Sequence, residues 1–383
     1  MTRPNLKGLT IAELETFAIS IGERRYRGKQ LFDWLYTKEA SSFADMSSLS
    51  KSLREKLSTT ARIDSLLLVA SQSSHEDGTV KYLFELSDGK RIETVLIPPR
   101  TAFRGREAAA QEEQKRLTLC VSTQVGCPLD CKFCATATMV FVRNLSAGEI
   151  VDQVMQVKKI SGKTITNVVY MGMGEPLLNY DNVMNSIDIL STGMKIAARH
   201  ITISTAGWAP HIRKMADENR KAKLAISLHT LDDRARAELM PINEKFDLGE
   251  LIDALRYYYS KMKQRVTFEY ILFDGWNDRD EDLVRLVKLA KSLPCKLNII
   301  PFHSIEFTHP TGISARLRPS RPERIDAFVR HLREANVTTF IRSSAGEDID
   351  AACGQLAVRV QRTRTRQGIV NTHHSQLNKP ISV

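Results

Sequence analysis

Residues 117–134 read LTLCVSTQVGCPLDCKFC. The first half is the apolar, β-rich run of a buried strand; the second half turns polar and sets Cys127, Cys131 and Cys134 close together. Outward from here the same alternation repeats. The strand-like runs NVVYMG, HITIST, AKLAISLH, RVTFEYILF and KLNIIPF follow, with helix-like stretches between them. One of these, SAGEIVDQVMQVKKI, opens on an S-x-x-E capping box formed by Ser146 and Glu149. Another is predicted to begin near Asn179–Asp181 and to stop at Gly193. Six strand–helix units predict an α/β fold with a parallel sheet and crossover helices, either an open doubly wound sheet or a partial barrel. A last helix–strand pair, ERIDAFVRHLREA and VTTFIRSS, leads into AGEDIDAACGQL.

The polar motifs share one position. GMGEP (172–176), STAG (204–207), SLH (227–229) and Phe302–His303 each follow the carboxyl end of a predicted strand. In both candidate architectures ligands bind at that edge.

Upstream, residues 1–62 read as helical, with Tyr26, Leu31, Leu35 and Tyr36 near helical spacing in ERRYRGKQLFDWLY. Residues 64–97 change to short strands broken by the Asp88–Gly89 turn signal, and 100–116 read as a polar surface excursion. The expected divisions are therefore a helical region at 1–62, a β extension with polar insert at 63–116, the core at 117–345 and a C-terminal segment at 346–383.

Composition bounds the rest. The 383 residues carry 55 Lys and Arg against 44 Asp and Glu, a formal charge of +11. With 42% hydrophobic and 26% charged residues, and no run of about 18 apolar residues, disordered and membrane-spanning chains are excluded. The opening MTRPNLKGLTIAELETFAIS lacks the pattern of a secretory signal, so a cytoplasmic protein is expected. Part of the excess charge is localised: residues 355–383 hold five basic side chains and no acidic one, and residues 1–62 carry a further +4. Such ends suit phosphate neutralisation on a nucleic acid.

Six cysteines are too few for a disulfide scaffold of this length, and four of them fall within fifteen residues. Three thiolates spaced C-x-x-x-C-x-x-C on a short loop can hold three irons of a 4Fe–4S cubane, leaving the fourth iron open to a ligand. Structural zinc generally takes four ligands in two separated pairs, which this spacing fits poorly. A non-enzymatic zinc module that binds RNA is the reading from another class. Cys295, in LPCKL, matches no motif and is expected in the core.

C-x-x-x-C-x-aromatic-C followed by GMGEP resembles the radical S-adenosylmethionine (SAM) superfamily. Within it CVSTQVGCPLDCKFCAT, RNL, MGMGEPLLN, ISTAG, SLH, LMPIN and DIDAACGQL are similar, in order, to the RlmN/Cfr family of RNA adenine methyltransferases. The resemblance runs from the N-terminal helices to about residue 357. It implies a radical SAM partial (β/α)6 barrel whose 4Fe–4S cluster, on Cys127, Cys131 and Cys134, binds SAM through its amino and carboxylate groups. It further implies that Gly174 and Glu175 contact the methionyl part of SAM, and that Ser204, Ser227, Leu228 and His229 line the same pocket. His303 stands where the family usually has an Asn that contacts SAM, and TATMVFVRNL lacks the Gly that commonly precedes its aromatic.

The resemblance also implies roles for two more cysteines and one carboxylate. Cys353 takes a methyl from one SAM, and a second SAM is cleaved reductively to a 5′-deoxyadenosyl radical that removes hydrogen from the S-methyl. The resulting thiomethylene radical adds to adenine, Cys120 resolves the adduct and ends in a disulfide with Cys353, and Glu93 matches the proton acceptor. The implied substrates are adenine carbon 2 at adenosine 2503 of 23S rRNA, and adenosine 37 of some tRNAs. The runner-up is the Cfr-type reaction at carbon 8 of the same rRNA adenine. A flavodoxin-type electron donor and a monomeric protein, with no membrane partner, complete the expectation.

Overall fold

Short runs of β-branched and aliphatic residues make the strands of this fold, and where both faces of a run are apolar the strand is covered on both sides. In the computed structural model, residues 3–99, 116–342 and 345–358 are described, together with the backbone of 361–365 and 368–372. The expected excursion at 100–116 therefore lies outside the described residues except for Arg116, as do the side chains of most of the basic tail.

The strands in chain order are β1 (Leu67–Ser73), β2 (Val80–Glu85), β3 (Arg91–Ile97), β4 (Thr118–Cys120), β5 (Gln124–Val125), β6 (Arg143–Asn144), β7 (Asn167–Tyr170), β8 (Ile201–Thr205), β9 (Lys223–Ser227), β10 (Val266–Leu272), β11 (Cys295–Pro301) and β12 (Thr339–Ile341). The backbone pair β13 (Gln361–Thr365) and β14 (Gly368–Thr372) ends the series. One ten-stranded sheet runs β1-β2-β3-β4-β7-β8-β9-β10-β11-β12. Its first four strands pair antiparallel, and from β4 to β12 every pairing is parallel. The order is linear with two edges, which is the open, barrel-like α/β sheet expected, but the β extension is continuous with it rather than a separate unit.

The first core strand is shorter than the run TLCVST suggests. Its ladder stops at Cys120, and residues 122–123 leave the sheet, because Gln124–Val125 are claimed by Arg143–Asn144 in a two-residue antiparallel pair. That pair closes the base of the cysteine loop. Gly126, at φ +74°, sits at the mouth of the loop, where any Cβ would press into the Val140 carbonyl oxygen.

The helix Ala147–Ser161 begins at the expected capping box, with the Ser146 side chain accepting from the Glu149 amide, and Tyr180–Thr192 ends at Gly193 as expected. In the N-terminal region Leu31, Leu35 and Tyr36 are buried, whereas Tyr26 is 49% exposed because it precedes the helix Arg27–Phe32 and lies off its inner face. No described helix is long and apolar enough to cross a membrane.

A buried ion pair ties the N-terminal region to the core, alongside the more exposed pair between Glu39 and Lys158. Lys7 donates to Asp152 at 2.8 Å with both side chains almost wholly buried, and the other oxygen of Asp152 accepts the Leu66 amide at 2.6 Å. Asp152→Ala leaves the Lys7 ammonium without its counter-charge, so a loss of about 3–5 kcal/mol of unfolding free energy is expected in denaturant titrations. A loss under about 1 kcal/mol would show that the pair does not join the two parts.

Candidate active site

The carboxyl ends of the parallel strands and the loop after β4 line one cleft of about 140 Å³. Cys127, Cys131 and Cys134 line it together. Burial is the main reason all three thiols resist ionisation, and Cys127 is pushed up to about 12. Negative charge on neighbouring thiols adds to the cost at Cys127 and Cys131. Three buried thiols that oppose one another's charge give up their protons to a bound cation far more readily than to water. Among the described residues no three His, Cys, Asp or Glu side chains converge on a point that a single metal ion would occupy. A cubane does not require that convergence, since each thiolate takes its own iron. The donor set therefore fits an iron–sulfur cluster better than a mononuclear zinc.

The strand-end motifs reach the cleft in different ways. Gly174, at φ +98°, lies against the Gln124 side chain, where a Cβ would collide. Both carboxylate oxygens of Glu175 are taken by backbone, Oε1 by the Leu177 amide at 2.9 Å and Oε2 by the Ala206 amide at 2.8 Å. Glu175 thus ties the β7 loop to the β8 loop. Ser204 and Ser227 line the cleft, whereas Leu228 does not: its side chain is fully buried and its amide donates to the Glu269 carbonyl at 3.0 Å.

His229 also lines the cleft, with left-handed backbone at φ +56°. Its Nδ1 accepts the Ile271 amide at 3.0 Å, which places the proton of the neutral ring on Nε2. Its ring meets Phe133, between two of the clustered cysteines, edge-on at 4.5 Å. Burial, with the Arg236 charge adding to it, holds its pKa down to about 3.

His303 is not among the residues that line the cleft. Its Nδ1 lies 3.0 Å from Glu347 Oε1, on the segment that carries Cys353. The ring is drawn to that carboxylate and away from the strand ends.

Cys353 lines the cleft with the three clustered cysteines, and its segment is gripped from two sides. From the β1–β2 hairpin, Asp77 Oδ2 accepts the Gly346 amide at 2.9 Å, the His75 amide donates to Asp348 at 3.1 Å, and Lys81 Nζ donates to the Asp350 carbonyl at 3.2 Å. From the cysteine loop, the Ala135 amide donates to the Gly354 carbonyl and Thr136 Oγ1 to the Leu356 carbonyl, each at 2.6 Å.

Cys120 and Glu93 are not among the residues that line this cleft. Cys120 ends β4, and its thiol is pushed up to about 12 by burial and by the charge of Cys353, with Arg342 opposing. Cys120 and Cys353 are free thiols, so the disulfide implied by the resemblance is not formed in this state. Val95 on β3 pairs with Cys120, and Glu93, two residues earlier, shares their face of the sheet. Glu93 is buried, 3.7 Å from Lys81 Nζ, and is not the exposed strand carboxylate that its surroundings in sequence suggest. Cys295 is buried as expected.

Three charged residues at the site escape a sequence reading. Glu269 on β10 is in register with Ser227 on one side and Asn298 on the other, and accepts from Asn298 Nδ2 at 3.0 Å. Arg342, just past β12, lies 3.7 Å from Glu269 Oε2 and 3.2 Å from Met171 Sδ. The charge of Cys353 is the main influence that holds the proton on Arg342. Arg236, on the helix Asp233–Leu239, is wholly buried beneath the cleft. A lone Glu within FEYIL and an Arg following FI are the only signals, and each equally suits a solvent-facing position.

Comparison with known proteins agrees with this geometry. Residues 121–287 match the radical SAM superfamily, and residues 4–63 match the ribosomal RNA large subunit methyltransferase N-terminal domain. The crystal structure of a radical SAM methyltransferase from Sphaerobacter thermophilus superposes with a TM-score of 0.80 at 41% identity, covering 92% of this chain and 99% of that one. The fold and cleft are thus those of a radical SAM methyltransferase. The dual-specificity RNA methyltransferase RlmN of Geobacter sulfurreducens is 43% identical over 93% of this chain and 92% of its own length. That of Campylobacter fetus is 44% identical over 88% and 94%. The chain belongs to the RlmN family of dual-specificity RNA methyltransferases.

The neutral state of His229 has a consequence for stability. Between about pH 6.5 and about pH 3 the unfolded chain binds a proton there that the folded chain refuses, so stability falls as the pH drops through that window. His229→Asn tolerates the left-handed backbone and can still accept from Ile271. It is expected to flatten this part of the stability–pH profile measured by denaturant unfolding; an unchanged profile would show that His229 is protonated in the fold.

Proposed function

We propose that this chain methylates carbon 2 of adenine in RNA, at adenosine 2503 of 23S rRNA and adenosine 37 of some tRNAs, through an S-methylcysteine at Cys353. The observation that carries this reading is the placement of Cys353 in one cleft with Cys127, Cys131 and Cys134, with Cys120 close enough for their charges to interact. Carbon 2 lies between two ring nitrogens and is electron-poor, so it does not attack the methyl of SAM directly. When bound on the three cysteines, the cluster would supply the electron that turns one of the two SAM molecules used per turnover into a source of radical chemistry, the other serving as methyl donor.

The chain's own residues do the rest. The Cys353 thiolate attacks the sulfonium methyl, forming its S–CH3 bond as S-adenosylhomocysteine leaves with the electron pair. Arg342 lines the same cleft, with its positive charge within reach of that sulfur. Gly174, Ser204, Ser227 and His229 shape the pocket for SAM, with Glu175 fixing two of its loops. Once the methylene on Cys353 has joined the adenine carbon, the adduct's unpaired electron would return to the cluster held by the three cysteines, and Glu93 takes the proton from that carbon. Cys120 then bonds to the Cys353 sulfur, the sulfur–methylene bond breaks, and the methylene keeps the pair and is protonated to a methyl group.

The basic ends of the chain neutralise phosphate, so RNA affinity falls as salt rises. A flavodoxin-type protein supplies electrons, and the enzyme acts as a cytoplasmic monomer.

Cys353→Ala is expected to abolish methylation while iron and sulfide content stay at the parent level; residual turnover would sink the two-cysteine route. Cys120→Ala is expected to leave the protein covalently joined to RNA, seen as a shifted band on a denaturing gel, and absence of the band would remove its resolving role. Mass spectrometry of nucleosides from treated RNA is expected to show 2-methyladenosine. Finding 8-methyladenosine instead would assign the carbon 8 reaction, and a colourless protein carrying zinc would overturn the enzyme reading altogether.

A further inference from the structure

Arg236 is the largest fully buried side chain of the described residues. Its guanidinium makes four hydrogen bonds, and all of the acceptors are neutral. Nη2 donates to the carbonyls of Ala206 at 2.7 Å and Ser227 at 3.0 Å, Nε to that of Leu228 at 3.3 Å, and Nη1 to Asn243 Oδ1 at 2.7 Å. No described carboxylate forms an ion pair with it. Asp233 stands one residue removed, behind Asn243, whose Nδ2 donates to Asp233 Oδ1 at 3.0 Å. A cation buried without a counter-anion is costly unless negative charge shares its low-dielectric surroundings.

That negative charge is to be found across the cleft. Ala206 and Ser227, whose carbonyls Arg236 holds, line the cleft with Cys131. The helix that carries Arg236 ends on Leu239, whose carbonyl accepts the Lys132 amide at 2.9 Å, so the helix is docked directly on the cysteine loop. Burial draws the guanidinium down to about 10, and the charge of Cys131 is the largest influence holding its proton in place.

We propose that Arg236 is the fixed counter-cation of the cysteine loop, and that its charge favours the reduced state of the iron–sulfur cluster held by Cys127, Cys131 and Cys134. The inference rests on the cluster reading above. Reduction adds one negative charge to a group already surrounded by three thiolates. A cation fixed within low dielectric stabilises that added charge more than it stabilises the oxidised state, and net local charge is among the levers that set such potentials. The same side chain binds carbonyls from the ends of β8 and β9, so the charge is held in place by the strands that frame the SAM pocket.

The test is a redox titration of the reconstituted full-length protein, followed by the electron paramagnetic resonance signal of the reduced cluster. Arg236→Gln removes the charge, and the reduced-to-oxidised ratio at a given potential is expected to fall roughly tenfold, about 59 mV for one electron. Arg236→Lys keeps the charge but loses the fork that binds the carbonyls. It is expected to keep a midpoint near that of the parent even where its melting temperature is lower. Asp233→Asn leaves Arg236 in place and keeps an acceptor for Asn243 and for the Leu248 amide, while removing an opposing charge. Its midpoint is expected to move the other way, towards easier reduction.

A parent-like midpoint in Arg236→Gln overturns the proposal, as does an equal shift in the Gln and Lys variants, which would make the residue purely structural. If Arg236→Gln does not take up iron, Asp233→Asn decides, and a midpoint that stays put or moves down overturns it. A parent protein that binds no iron or sulfide would instead defeat the cluster reading on which the proposal stands.

Discussion

The site depends on how the chain leaves the sheet after Cys120. A strand of three residues is too short to hold a seventeen-residue excursion in one conformation, and the two-residue ladder between Gln124–Val125 and Arg143–Asn144 supplies the missing constraint. It works because Gly126 lets the backbone turn where the Val140 carbonyl crosses it. The loop so closed carries all three clustered cysteines, and its residues 135 and 136 go on to hold the carbonyls of Gly354 and Leu356. One local closure thus positions both the three clustered cysteines and the segment that carries Cys353.

Charge is the second organising element. The cleft is apolar enough to push its thiols and carboxylates towards their neutral forms, yet two arginines are placed around it. Arg342 interacts with the charges of Cys120 and Cys353, with Glu269 holding it, and Arg236 lies beside the cysteine loop with only neutral partners. Anionic chemistry in such surroundings needs fixed cations, because water cannot reorganise to do the same work.

Much of this was legible in the sequence. The six strand–helix repeats, the Ser146 capping box, the Gly193 stop, the Asp88–Gly89 turn and the three-cysteine loop all appear where local pattern placed them. Local pattern encodes these because each depends on residues within a few positions of one another. Other features depend on partners far along the chain. The early end of β4, the burial of Glu93 beside Lys81, the turn of His303 towards Glu347 and the roles of Arg236, Glu269 and Arg342 all follow from such contacts. A charged residue inside a strand reads the same whether it faces solvent or a cleft, and only the opposite strand settles which.

The grip on the Cys353 segment also bears on the order in which the protein is assembled. Asp77 meets Gly346 and Lys81 meets the Asp350 carbonyl, each across 269 residues of chain, and His75 meets Asp348 across 273. Contacts of that separation form late, since nearly the whole polypeptide must be synthesised and the intervening sheet built before either partner is in reach. A chain cut short on the ribosome therefore holds its cysteine loop without Cys353 beside it. Only the finished polypeptide brings the two together.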